Sequence, residues 1–373
     1  MTERNSRATR ASWPDPAWAR AAAAAGLVLA LGLAATTARA EEIGKVDDCL
    51  ECHGENEDDH LELPDGIKLK VEVPKKVWDA NVHAGEIGCT DCHTNISDYP
   101  HPELEVKTVR EYKVAQAETC KRCHYAQYTH VADSIHFRLL EEGKPGAPTC
   151  VDCHGAHDIA VPGEPRIAVD QRCAPCHAEI SDAYRRSVHG KALLEESDPD
   201  VPVCTDCHSS HRIKDSRKAD FHAASYQICG KCHSDAERMA RHELSPDVVD
   251  SYLDDFHGAS NALLSKGLGT PEKKLATCTD CHGIHDIPSL KNTDKSVVRE
   301  RVLKSCRGCH ESVPEGFSDA WLGHYPATLS SAPIVWMVKW FYRLVIPLIA
   351  LGLVLHILLH LWRLRFRRPG VHR

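Results

Sequence analysis

The sequence predicts a mainly α-helical chain with extensive irregular loops, little or no β structure and one C-terminal transmembrane helix. Three observations predict it. All 18 cysteines of the 373 residues fall in Cys-x-x-Cys-His pentads, nine in number. Phe and Met are scarce, with only 6 Phe and 3 Met in the chain. A run from Leu344 to Trp362 has no acidic or basic side chain other than histidine.

The pentads supply Cys49 and Cys52, Cys89 and Cys92, Cys120 and Cys123, Cys150 and Cys153, Cys173 and Cys176, Cys204 and Cys207, Cys229 and Cys232, Cys278 and Cys281, and Cys306 and Cys309. This is the spacing of c-type haem attachment. Two cysteines hold one porphyrin by thioethers, and the adjoining histidine reaches the iron from one face. A disulfide framework has no need of a histidine after every second cysteine. Zinc sites pair Cys-x-x-Cys clusters with each other or with histidines at finger spacing. The expectation is therefore nine covalently bound haem c groups. Their proximal iron ligands would be His53, His93, His124, His154, His177, His208, His233, His282 and His310. Residues 41–330 then leave roughly 32 residues per haem. The haems themselves must be the core, with short helices and loops around them.

The pentads alternate in kind. Those at Cys89, Cys150, Cys204 and Cys278 read Cys-Thr/Val-Asp-Cys-His and are called type A here. Those at Cys49, Cys120, Cys173, Cys229 and Cys306 have other linkers and are called type B. Types B and A succeed each other strictly, which is an internal repeat of two haems.

Free histidines follow the same alternation. After each type B pentad comes one histidine in a similar setting: His83, His136, His189, His257 and His324. After three type A pentads, one stands three positions past the haem histidine: His157, His211 and His285. The Cys89 pentad lacks that partner, and His101 is its nearest substitute in sequence. Neutral imidazole is a natural iron ligand. These nine are the candidate distal ligands, and they predict mostly six-coordinate iron that transfers electrons and binds no substrate. His60, His130, His222 and His242 lie outside the pattern and are read as non-ligands, any of which could stand in for His101.

The ends of the chain read as targeting and anchoring. Arg4, Arg7, Arg10 and Arg20 precede an apolar run from Ala21 to Ala35, and Ala38-Arg39-Ala40 has a cleavage-site form. Residues 1–40 are thus expected to be a cleaved signal peptide. Residues 331–362 are expected to span a membrane, with a basic cytoplasmic tail at 363–373 containing Arg363, Arg365, Arg367 and Arg368. That topology puts a nonahaem domain, 41–330, in the periplasm and a single pass in the cytoplasmic membrane. The domain holds 33 basic and 51 acidic residues, a net charge of −18. This argues against nucleic acid; it fits a basic soluble partner or simple solubility. His356 and His360 lie in the span at i and i+4, on one face. Intramembrane ionisable groups are functional-site hypotheses by default. They could ligate a haem b shared with a partner, line a quinone pocket, or pack against a partner helix.

The pentads, with Gly-x-His-Asp-Ile after Cys150-Val151-Asp152-Cys153-His154 and after Cys278-Thr279-Asp280-Cys281-His282, resemble the bacterial multihaem cytochrome c superfamily over roughly residues 45–325. That group includes tetrahaem quinol dehydrogenases, small pentahaem carriers and metal-respiration cytochromes. The resemblance implies closely packed haems forming a wire, fed by a membrane cytochrome b or quinol-oxidising subunit and serving a periplasmic electron carrier or reductase. This chain departs from tetrahaem quinol dehydrogenases in its haem number and C-terminal anchor. It departs from pentahaem nitrite reductases in having histidine at every pentad. Two rival readings stand beside the wire: a reductase or oxidase of a small nitrogen or sulfur compound at one five-coordinate haem, and a haem-bearing structural subunit of a respiratory complex. The Cys89 site is the sequence's only hint of an open iron.

Overall fold

The structure is a computed structural model that describes residues 45–54, 60–266, 275–290, 293–317, 324 and 327–366. The expected signal peptide lies outside the described residues, as does the tail beyond Phe366. Among the described residues the fold is helical, as the sequence predicts. Strand is confined to one antiparallel hairpin, His60–Glu62 with Lys68–Lys70.

The two pentad types sit differently on helices. Type B pentads close longer helices: Val46–His53, Val109–Cys120, Ile167–Cys173, Ser225–His233 and Lys295–Arg307 each run into one. Type A pentads begin their own helical turn: Cys89–Cys92, Cys150–His154, Cys204–His208 and Cys278–His282. The type A aspartate explains the difference. It stands at the third helical position, and its carboxylate reaches back to accept the backbone N–H that precedes the helix. Asp91 accepts from Gly88 at 2.8 Å, Asp152 from Thr149 at 2.8 Å, Asp206 from Val203 at 2.7 Å and Asp280 from Thr277 at 2.8 Å. A donor otherwise left unsatisfied is paired at the helix start, where negative charge is also favoured.

The chain divides into two compact units. The first comprises residues 1–125 and 149–161, the second 126–148 and 162–373. In the first unit, the segment ahead of His83 returns to the segment after His157. The Val82 N–H donates to the Ile159 carbonyl at 2.9 Å, and the buried Asn81 amide donates to the His157 carbonyl at 2.9 Å.

The second unit uses the same device twice. Ile135 donates to the Ile213 carbonyl and Val188 to the Ile287 carbonyl, both at 2.8 Å. Its apolar core is small: Tyr184, Leu193, Val201 and Val203, flanked by Ile167, Val169 and Ala192. Beside it the fully buried Asp170 accepts from the Ser181 hydroxyl at 2.6 Å and from Arg185 Nε at 2.8 Å. A core this slight fits a chain whose interior is completed by porphyrins.

The second unit ends in a 34-residue apolar helix, Pro333–Phe366, with mean hydropathy 2.5 in its most apolar window and no buried residue there. It can cross a membrane as a single-pass anchor. At 1.5 Å per residue it is roughly 51 Å long, well beyond the ~30 Å hydrocarbon core. His356 and His360 are exposed on it, one turn apart.

Candidate haem centres

Eight pentad histidines each face one of the nine distal candidates, one to one. In the first unit His53 faces His101 with ring centres 6.0 Å apart, His93 faces His157 at 5.8 Å, and His124 faces His83 at 6.0 Å. In the second, His177 faces His136 at 6.1 Å, His208 faces His285 at 6.0 Å, and His233 faces His189 at 6.3 Å. There too His282 faces His324 at 5.9 Å and His310 faces His257 at 6.2 Å. The remaining two, His154 and His211, belong to different units.

The spacing fits an iron between the rings. A metal–imidazole bond of about 2 Å, with about 1.1 Å more from nitrogen to ring centre, gives about 6.2 Å across a trans pair. Ordinary aromatic pairs spread over about 4.5–7 Å; these eight lie between 5.8 and 6.3 Å. Burial also holds many of the imidazoles below the ordinary histidine range, namely His93, His136, His157, His208, His233, His282, His285 and His324, with His189 at about 4. Iron needs the neutral ring, so the environment favours the ligating form.

The pairs obey a register that sequence proximity does not suggest. His93 and His208, of type A, face a histidine that follows the next type A pentad. His124, His177, His233 and His310, of type B, face one that follows the previous type B pentad. The ends break the rule: His53, with no predecessor, faces His101, and His282, with no successor, faces His324. His101 thus stands opposite His53, while His93 of the Cys89 pentad faces His157.

A backbone turn makes the type A register possible. Gly155 (φ 84°, ψ 179°), Ser209 (φ 65°, ψ 167°) and Gly283 (φ 83°, ψ −178°) follow their haem histidines in a region almost reserved for glycine. After Gly155 and Gly283, the histidine two residues later faces the ring of another pentad's histidine. His93 ends its helix at φ −85° and ψ 62°, without that turn and without that histidine.

The attachment sulfurs follow chain order within each unit. Cys49 and Cys89, Cys120 and Cys150, Cys173 and Cys204, and Cys229 and Cys278 bring their sulfurs within hydrogen-bonding reach. Cys92 lies near Cys120 and Cys123, Cys207 near Cys229 and Cys232, and Cys281 near Cys306 and Cys309. The first four type B pentads thus meet the following type A through first cysteines; three type A pentads meet the following type B through their second cysteine.

Groups that carried no sequence signal fix ring orientation. The Val71 carbonyl lies 3.2 Å from His53 Nδ1, and the Asp98 carbonyl 2.9 Å from His101 Nδ1. Ser251 Oγ is 3.4 Å from His324 Nδ1, and Tyr112 Oη 3.5 Å from His93 Nδ1. Such partners set tautomer and ligand basicity. Two histidines read as non-ligands pair with acids: His222 with Asp280 at 3.0 Å, and His242 with Asp200 at 3.6 Å and Asp198 at 3.7 Å.

Two family models match parts of the chain. Residues 28–137 match the family described as outer membrane cytochrome MtrC/MtrF-like, domains II/IV, and residues 146–234 match that described as cytochrome c3. No curated protein matches the chain.

Proposed function

Since the chain is a multihaem c-type cytochrome with nine attachment sites and a single-pass membrane anchor, we propose that it conducts electrons between a membrane quinol or cytochrome b partner and a soluble carrier or reductase outside the cytoplasm. The observation that carries this is the one-to-one opposition of eight pentad histidines with eight distal histidines. An iron held by imidazoles on both faces would offer no site to a substrate, and haem would supply one-electron ferric–ferrous cycling when bound. The polypeptide's part is to hold each imidazole neutral and oriented, to bury it, and to set adjacent attachment sites close together. The Cys89 site, the one sequence hint of an open iron, has His157 opposite its histidine, which favours conduction over small-molecule catalysis.

The proposed organisation is a signal peptide at 1–40, a periplasmic haem domain at 41–330, a span at 331–362 and a cytoplasmic tail at 363–373. An apolar helical span with arginines at its far end supports the cytoplasmic membrane with the tail inside. His356 and His360 then offer imidazoles within the bilayer to a haem b shared with a partner, or to quinone.

The test uses membranes carrying the full chain. A reduced quinol is expected to bring up the c-haem absorbance, and an added soluble oxidised carrier to bleach it. Dithionite reduction of all haems without any quinol-driven reduction would overturn the membrane-coupled reading.

A further inference from the structure

Four segments of the chain are equivalent, each placing an apolar residue before a distal histidine: Val82-His83, Ile135-His136, Val188-His189 and Phe256-His257. In the first three the apolar residue donates its N–H to the carbonyl of Ile159, Ile213 or Ile287. The fourth differs. The Phe256 N–H turns onto its own neighbour, Asp255 Oδ1, at 3.0 Å, and the phenyl ring is 75% exposed.

The C-terminal helix comes to this segment. Lys339 Nζ lies 2.5 Å from Asp254 Oδ2, two residues before Phe256. Lys339 stands among Trp336, Trp340, Phe341 and Tyr342, all on the helix before its uncharged run, with Arg343 over the Trp340 ring at 5.5 Å. Aromatic residues beside Lys and Arg mark the headgroup level of a membrane helix. The helix exceeds the hydrocarbon core by several turns, so these residues have room to lie there. The Lys339 contact ties Asp254 to this part of the helix, and Phe256 follows two residues on. His257 follows Phe256 directly, and its ring faces that of His310 at 6.2 Å.

We infer that the Asp254–Phe256 edge is seated on the lipid surface, with Phe256 in the headgroup layer, and that the centre built on Cys306, Cys309, His310 and His257 is the port where the chain exchanges electrons with a lipid-soluble quinol. This rests on the reading of the chain as a membrane-coupled conduit. The exchange balances simply: one quinol becomes quinone, two protons leave to water, and two ferric centres each take one electron. A port at the headgroup layer meets the quinol where its protons can leave.

The test uses the full nine-haem chain in vesicles of phosphatidylethanolamine and phosphatidylglycerol containing a short-chain quinol and whatever membrane partner co-purifies. Wild type must first show quinol-driven reduction; its absence would sink the conduit reading itself, apart from the port. H257A is expected to convert one low-spin haem to high-spin and to slow quinol-driven reduction of the remaining haems at least tenfold, with dithionite reduction intact. F256E is expected to slow quinol reduction severalfold while leaving the low-spin EPR spectrum unchanged. In F256W, the added indole fluorescence should be quenched by headgroup-level spin-labelled lipid. Unchanged quinol kinetics in H257A would overturn the port. Unquenched indole fluorescence in F256W, as a protein covering the edge would produce, would overturn the lipid seat.

Discussion

His93 and His157 face each other at 5.8 Å, although two complete pentads, at Cys120 and Cys150, lie between them in sequence. On the proposed reading, His157 would take the second face of the Cys89 iron from a different pentad region. His157→Ala should therefore open that iron. Low-temperature EPR is expected to show one new high-spin haem. The same substitution in a Cys89→Ala, Cys92→Ala background should add none. A high-spin signal that persists there would place His157 on another haem.

His101 belongs to the other end of the register. Its ring is 6.0 Å from that of His53, and both Nδ1 atoms meet backbone carbonyls. A carbonyl partner makes an imidazole more basic and favours ferric iron. His101→Met should raise the potential of the Cys49 haem alone, and in a Cys49→Ala, Cys52→Ala background it should move no potential. A redox titration of the four variants decides.

The type A turn is a backbone matter. A Cβ at Gly155 would stand 2.2 Å from Asp158 Oδ1, on top of its positive φ. Gly155→Ala should cost about 1–3 kcal/mol from backbone conformation alone and lower the thermal midpoint. Ser209 holds nearly the same conformation with a side chain, so Ser209→Gly should raise the midpoint, with a gain on the order of 1 kcal/mol. Calorimetry of the haem-loaded protein checks both signs.

Asp170 is fully buried and gathers Ser181 and Arg185. Asp170→Ala leaves the buried Ser181 hydroxyl without that acceptor and should cost about 2–3 kcal/mol. Asp170→Asn should recover part of it. The denaturant midpoint reads the difference, and no spectral change in the haems is expected at neutral pH.

Acid should loosen the fold in a defined window. Burial holds His189 at about 4, against an ordinary value of 6.5. Below 6.5 the unfolded chain binds more protons than the folded one, and a bond from iron to the same ring would hold its proton off further, so stability falls as pH drops below 6.5. The other buried ligand candidates shift in the same direction. Denaturant midpoints measured from pH 7 to 4 should fall monotonically, and His189→Gln should flatten part of the slope.

Much of the array was legible in the sequence because it is written in local spacing. The pentads, their alternation and eight of the nine distal candidates are short-range patterns, while His101 was placed by nearness alone. The long apolar helix is likewise a matter of composition. What spacing could not assign was which histidine meets which iron. That depends on returns such as Val82 to Ile159 and Val188 to Ile287, which span 77 and 99 positions. His101 shows the cost: near the Cys89 pentad in sequence, it stands opposite His53 in space. Tyr112 and Ser251 carry no repeat at all, and only the fold brings them to a ring nitrogen.

Low-temperature EPR of the purified, fully oxidised nine-haem protein, integrated by spin state, decides whether the paired histidines close both faces of their irons. Low-spin bis-histidine signals are expected from at least eight haems, with no spectral change there on adding cyanide. Two or more high-spin haems, or cyanide binding at the Cys89 site, would contradict that closure.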